Sequence, residues 1–351
     1  MEIKILENEY ESYVSKQQGI SFMQSVKWSK VKKDWLSEQI LLKDECGYVH
    51  GAVQMLIKKI PFLHTSFIYI PRGPVCDMHD KYVVKRLTEL IRLYAQKYNA
   101  FMVRIDPMID HSDTQAIGLL TSAGFRYDPN RSEDDMIQSQ KNYILNIAGK
   151  TSEQVFDSFH PKWRYNIRTA IRKGVRCFAD NSRLDDFYTL MQETGNRDNF
   201  CIRSNEYYRK LLAALGRNAR LYMCYSPQGM PLSGAISVCY GDRVSYVYGA
   251  STAKQRNLMP NYLMQWQMIS WAIESGCRIY DFMGIPHFED ESHPNYGVYR
   301  FKKGFNGTAV TYAGEFDLIL SEQKYKLARN ILRMRGYKNT ETNFQKIRNM
   351  I

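Results

Sequence analysis

The segment NYGVYRFKKGFNG, residues 295–307, sets Lys302 and Lys303 between Phe301 and a Gly-Phe-Asn-Gly turn. As a hairpin it would leave both lysines in water; the sharper reading fixes one of them to hold an anionic ligand. Side chains alternate along a strand, so the two lysines would then point opposite ways. In ETGNRDNFCIRSNEYYRKLL, Arg203 and Tyr207 stand four apart at the entry to a helix, one turn from each other. Arginine grips phosphate or carboxylate bidentately and tyrosine donates to a third oxygen. The plainer alternative is an arginine packed on its tyrosine at the surface. HPKWRYNIRTAIRKGVR carries six basic residues and no acid. Its Arg164, Arg168 and Arg172 form one cationic stripe on a helix, with Trp163, Ile167, Ala170 and Ile171 mainly to the other side. Such a stripe is either a solvated face or a phosphate contact. The missing acids tilt it towards phosphate, with RNA as a partner that spaces phosphates regularly.

Other polar clusters carry less. MGIPHFEDESHPNYG holds His287, Glu289, Asp290, Glu291 and His293, but in a loop without the i, i+4 pairing of helical ligands. It reads as a solvated loop, and no metal is expected. Asp106 and Asp281 each end a strand, where a carboxylate acts as a base, orients an amine, or caps the next turn. The sequence has no Ser-His-Asp order, nucleophile elbow or P-loop.

The elements that must position these residues are repeated. ILLKDECGYVHGAVQMLI reads as strand, turn and strand, followed by the strand SFIYIPRGPV. A helix then runs through VVKRLTELIRLYAQKYN, with Val84, Leu87, Leu90, Ile91 and Tyr94 on one face, and AFMVRIDP is a strand ending at Asp106. The second half repeats the plan in ARLYMCYSPQGMPLSGAISVCY, RVSYVYGAS, NYLMQWQMISWAIESG and CRIYDFMG, ending at Asp281. Gly51-Ala52 and Gly234-Ala235 fall in matching places. Two β-β-β-α-β units imply two α/β domains with mixed, locally parallel sheets, whose ligands lie at strand carboxyl ends or in the cleft between the copies. This order resembles the GNAT acetyltransferase fold. The glycine loop that cradles a coenzyme A pyrophosphate is absent, since the two copies have RGPVCDMHDK and AKQRNLMPN, and no cofactor is expected.

Composition agrees with a two-domain globular chain: 351 residues, 44% hydrophobic and 24% charged. Its 48 Lys+Arg against 36 Asp+Glu give a formal +12, which favours phosphate-bearing partners. The 25 tyrosines suit walls of polar pockets as well as cores. The acidic stretch MEIKILENEYESYVSK has no apolar core of signal-peptide length, and no apolar run is long enough to span a bilayer. Seven scattered cysteines without a CxxC pair read as reduced thiols, so the expectation is a cytoplasmic protein.

Six phrases together, FMQSVKWSKVKKDW, FHPKWRYNIRTAIRKGV, NRDNFCIRSNEYY, YVYGAS, IYDFMGI and HPNYGVYRFKKGFNG, resemble the Fem family of non-ribosomal peptidyltransferases. The likeness covers nearly the whole chain, though each phrase alone is weak. It implies an enzyme that takes an amino acid from aminoacyl-tRNA and attaches it to the side-chain amine of the third residue of a peptidoglycan precursor peptide, on UDP-MurNAc-pentapeptide or lipid II. It implies two GNAT-like domains, residues 1–150 plus 309–351 and residues 151–308. No heptad run is present, so the chain resembles the armless FemX type, working as a monomer. By motif match, precursor binding falls on Lys32 (with Lys30 and Lys33 as neighbours), Arg203, Tyr207 and Tyr248, with Tyr246 as the alternative to Tyr248. Lys302 would steady the reacting carbonyl, Phe301 would pack beside the peptide or the terminal adenosine, and Asp106 would lie near the reacting groups. The stripe of Arg164, Arg168 and Arg172 would meet the tRNA. The basic tail KYKLARNILRMRGYK, with Leu327, Ile331 and Leu332 close together, reads first as a core helix and second as a peripheral contact with the inner leaflet. Rival readings are an acyl-CoA-dependent GNAT enzyme and a catalytically silent RNA- or nucleotide-binding protein.

Overall fold

A computed structural model describes residues 7–60 and 63–334. The chain divides into two compact units, residues 1–141 with 310–351, and residues 142–309.

Unit 1 begins with helices α1 (Glu7–Val14) and α2 (Val26–Val31) and strands β1 (Leu36–Lys43), β2 (Val49–Ile60), β3 (Thr65–Ile70) and β4 (Val75–Cys76). Helix α3 (Lys81–Lys97), strand β5 (Ala100–Ile105), helix α4 (Thr114–Ser122) and strand β6 (Arg126–Tyr127) follow. Asp80 starts α3 by accepting the amides of Tyr82 and Val83, satisfying donors that a helix start leaves unpaired. Val83, Val84, Leu87, Ile91 and Ala95 then form the helical stripe that is buried on the sheet, while Leu90 and Tyr94 are only half-buried. Strands β3 and β5, on either side of α3 in sequence, pair in parallel.

Unit 2 contains β7 (Lys141–Asn146), α5 (Ser152–Ser158), α6 (Pro161–Arg172), β8 (Arg176–Ala179), α7 (Leu184–Asp198), α8 (Asn205–Leu215), β9 (Ala219–Tyr225), β10 (Pro231–Tyr240), β11 (Arg243–Ser251), α9 (Pro260–Glu274), β12 (Ile279–Gly284) and α10 (Tyr296–Lys303). Its sheet runs β13-β7-β12-β11-β10-β9-β8, where β13 is Thr308–Thr311, and β11 pairs in parallel with β12. The division between the units falls between Lys141 and Asn142, at the start of β7, which bonds to β12. Strand β14 (Phe316–Ile319) lies in the first sheet, whose order is β1-β2-β3-β5-β14-β6, and α11 (Glu322–Met334) comes after it.

The matching glycines have a packing reason. A Cβ on Gly51 would lie 2.7 Å from Leu87 Cδ1 of α3, and one on Gly234 would lie 2.8 Å from Phe187 of α7. In each unit a helix side chain therefore sits directly on a strand.

Strand β14 is held by charge as well as by its ladder. Arg104, 1% exposed, donates from Nε and Nη2 to Asp317 at 2.7 and 2.8 Å and lies 3.0 Å from Glu315. Arg131 bonds to the same two carboxylates at 2.7 and 2.8 Å. Two guanidiniums and two carboxylates cancel inside the unit, and against the upward push of burial the two arginines hold Asp317 below the usual carboxylate range.

Residues 295–307 form neither the plain hairpin nor a strand on which Lys302 and Lys303 would alternate. They form α10 followed by a turn with Asn306 at φ 58°. Phe301 and Phe305 are four apart and in edge contact at 5.5 Å, which is helical spacing. Gly304 serves close packing: a Cβ there would be 2.1 Å from the Trp163 ring. No helix among the described residues exceeds the 17 residues of α3, and none is long and apolar enough to cross a membrane.

In the tail, Ala328 is buried and Leu327 is 48% exposed. The side chains of Ile331 and Leu332, and everything from residue 335, lie outside the described residues.

Candidate active site

Helix α10 buries Lys302 and leaves Lys303 exposed, so a helical face, not strand alternation, separates the two lysines. Lys302 is 5% exposed; its Nζ donates to Gly284 O at 2.8 Å and approaches Met283 O at 3.4 Å, both at the end of β12. Burial pushes its ammonium down to about 8, against the pull of Asp281. An ammonium has three donors, and the two carbonyls leave one for a ligand oxygen. The anchor of α10 is aromatic. Trp163 Nε1 donates to Phe301 O at 2.9 Å, and the Phe301 ring meets Tyr262 at 5.2 Å. Phe301 is therefore half-buried and packed against this unit's core cluster.

Asp281 closes β12. Its carboxylate accepts Met283 N at 2.7 Å, Arg243 Nη1 at 2.7 Å and Asn142 Nδ2 at 3.1 Å. Asp106 has a corresponding place in unit 1: it accepts Arg72 N at 2.7 Å and Tyr69 OH at 3.0 Å, and Arg72 Nε lies 3.8 Å away. Arg72 at φ 55° and Met283 at φ 60° are both left-handed, so each aspartate holds a bent segment. Asp106 is 2% exposed, and burial pushes it up to about 7 in spite of Arg72. Turn-holding, one of the readings open at these two positions, is thus what the geometry displays.

Ser204 caps α8 by accepting Tyr207 N, which sets Tyr207 in the first turn. The hydroxyls of Tyr207 and Tyr248 are 3.1 Å apart, and the Arg203 guanidinium lies 5.2 Å from the Tyr207 ring. Buried Tyr208 supports them edge-on to Tyr248 at 5.1 Å. Tyr246 is elsewhere: it packs on the core cluster, with its ring so close to Gly249 that no Cβ fits there. Burial pushes Tyr246 up to about 12. Ser245 pairs with Asp281 across the parallel ladder. Tyr248 and Gly284, each three residues further on, lie towards the carboxyl ends of these neighbouring strands, the side on which ligands of open α/β sheets bind.

Lys32 and Asp106 belong to unit 1, and the other candidates belong to unit 2. Lys32 follows α2, half-exposed, with Nζ 4.7 Å from the Trp28 ring. Its neighbour Lys30 is engaged with Glu7 at 2.9 Å.

Helix α6 departs from the expected stripe. Arg164 pairs with Asp157 of the preceding helix at 3.3 Å, so the acid missing from the segment is supplied nearby. Arg168, over Phe156, and Arg172, bonded to Thr169, are exposed. Ile171, expected on the covered side, is 57% exposed, and Tyr165 is 59% exposed. Among the described residues no group of three or more His, Cys, Asp or Glu could hold a metal ion. Sequence reasoning missed Asn142, Arg243 and Tyr262, since only strand order and helix packing bring them to β12 and α10.

Two such units on one chain define the tandem GNAT-like class. A tandem GNAT protein from the clavulanic acid biosynthesis pathway shares the fold with TM-score 0.52 at 9% identity, covering 89% of this chain and 94% of its own. The FemAB family model matches residues 5–227 and 223–333, and the chain belongs to the FemAB family. A crystal structure of FemX superposes with TM-score 0.86 at 27% identity, over 93% of this chain and 99% of that one. Lipid II:glycine glycyltransferases are 25% identical in Staphylococcus haemolyticus (94% of this chain, 95% of the relative) and 26% in Staphylococcus aureus (93% and 94%). Each of these two alignments spans 400 positions against the chain's own 351, so the relatives carry inserted residues.

Proposed function

We propose that the chain is an aminoacyltransferase of peptidoglycan interpeptide-bridge synthesis. It moves an amino acid from aminoacyl-tRNA to the side-chain amine of the third residue of a precursor peptide, carried on UDP-MurNAc or as lipid II. Relatives named lipid II:glycine glycyltransferase support the reaction class. The observation that carries the residue assignment is the buried Lys302 ammonium at the end of β12 with one donor unspent.

An aminoacyl ester is already activated, so transfer needs orientation and charge stabilisation more than a nucleophile from the protein. The acceptor nitrogen attacks the ester carbon, the ribose oxygen leaves, and the proton lost by the amine passes to that oxygen through substrate or water. Lys302 donates to the developing oxyanion. Arg203, Tyr207 and Tyr248 of unit 2 hold the precursor's diphosphate, and the exposed part of α6 meets tRNA phosphates. Phe301 and Asp106 keep their segments in shape.

The test is a transfer assay with labelled aminoacyl-tRNA and precursor, run beside acetyl-CoA. Wild type should give product with tRNA alone. Lys302→Met should lose about 100-fold or more, the scale of one oxyanion donor. Full transfer by Lys302→Met would sink the assignment, and product from acetyl-CoA alone would sink the reaction class.

A further inference from the structure

The turn at the end of β12 is built around one carboxylate. Asp281 accepts the Met283 amide at 2.7 Å, and Met283 adopts φ 60°, a conformation that residues other than glycine keep only under constraint. The carbonyls of that bent segment, Met283 O and Gly284 O, are the ones that receive Lys302 Nζ. The carboxylate is 3% exposed and is gripped from both neighbouring strands, by Arg243 of β11 at 2.7 Å and by Asn142 of β7 at 3.1 Å. Nothing in the transfer chemistry requires so elaborate a mounting for a residue that touches no substrate.

We propose that Asp281 is a positioning residue for Lys302: it shapes the turn whose carbonyls seat the ammonium, and its charge, balanced by Arg243, keeps that ammonium in a buried place. This rests on the reading that Lys302 acts in transfer. The charged and titratable groups around Lys302 come from every packed element. They are Asp281 on β12 with Arg243 behind it on β11, and Tyr143 of β7, whose hydroxyl donates to Gly307 O at 2.8 Å and lies 3.2 Å from Lys303 O. His160 before α6 bonds through its amide to Gly304 O, and Tyr262 of α9 meets Phe301. Tyr299, Arg300 and Lys303 lie on α10 itself. Among these Asp281 supplies the carboxylate, and it is the charge that raises the Lys302 ammonium against burial.

The two ends of the Asp281–Arg243 pair give opposite expectations. Asp281→Asn removes the attraction, so Lys302 loses its proton at lower pH than in the wild type. Arg243→Gln removes the cation paired with Asp281 and leaves that carboxylate unopposed, so Lys302 keeps its proton to higher pH. A side chain that only braced the fold would move both variants the same way. The measurement is the pH dependence of Lys302 acylation by acetic anhydride in the full chain without substrates, read by peptide mass spectrometry. Wild type should show a midpoint near pH 8, below the roughly 10.4 of free lysine. Each unit that Asp281→Asn lowers it reduces the protonated fraction about tenfold above the midpoint, and should reduce kcat, not KM. Shifts of the same sign, or none, overturn the proposal. If Asp281→Asn does not fold, the direction of the Arg243→Gln shift decides alone. Opposite shifts together with full transfer by Lys302→Met would keep this role for Asp281 and remove the one assigned to Lys302. Loss of transfer by Lys302→Met with unshifted midpoints would do the reverse.

Discussion

At the scale of single residues, burial sets the chemistry. It pulls Lys302 down to about 8 and pushes Asp106 up to about 7, in each case by penalising the charged form. The signs translate into stability. Asp106 in the fold binds a proton more tightly than the roughly 3.9 of an unfolded aspartate, so its contribution falls as pH rises from about 4 through about 7. Asp106→Asn should remove that loss: thermal midpoints of variant and wild type should diverge in the variant's favour as pH goes from 5 to 8. A gap that stays constant over this range would show that Asp106 does not titrate there. For Lys302 the unfolded chain binds more protons between pH 8 and about 10.4, so stability rises with pH in that window. A group kept at such a disadvantage makes sense where its charge is used.

At the scale of elements, α6 and α10 form one assembly. Trp163 of α6 lies against Gly304, bonds to Phe301 O and touches Tyr262 of α9 at 5.5 Å. The cationic helix is thereby tied to the one that carries Lys302. Arg164 is already paired with Asp157, whereas Arg168 and Arg172 are exposed. If the latter two meet tRNA phosphates, changing both to Gln should flatten the log–log salt dependence of tRNA use by about 1.4 to 1.8, at 0.7 to 0.9 per contact. Precursor KM should stay where it was, and Arg164→Gln should do less. An unaltered salt slope in the double variant would reduce the stripe to a solvated face.

At the scale of the whole molecule, the second unit is one continuous stretch, but the first needs the end of the chain. Strand β14 stands between β5 and β6, and with Glu315 just before it brings both carboxylates that neutralise Arg104 and Arg131. A chain ending at Ala309 would leave two guanidiniums without those partners; breaking one buried pair already costs about 3–5 kcal/mol. Amide hydrogen exchange of that truncated chain should show protection lost in β3 and β5 and kept in β11 and β12. Equal protection in both units would show that β14 is dispensable.

Much was legible in the sequence because it is local. The β-β-β-α-β repeat, the two parallel crossovers and the paired Asp106 and Asp281 follow from period, turn residues and spacing. The phrases shared with the Fem family brought Arg203, Tyr207, Tyr248 and Lys302 forward as candidates. What sequence could not decide depends on partners distant along the chain. The glycines around Phe305 read as turn punctuation, but Gly304 caps helix α10 and lies against the Trp163 ring. Tyr248 is set apart from Tyr246 because one hydroxyl reaches Tyr207 and the other side chain turns into the core. Lys302 differs from Lys303 because one face of α10 is buried on β12, where a carboxylate and two carbonyls wait. Residue type fixed what each group can do; long-range packing chose which group is dry, paired and aimed, because desolvation and hydrogen bonding depend on neighbours that the chain brings together only when folded.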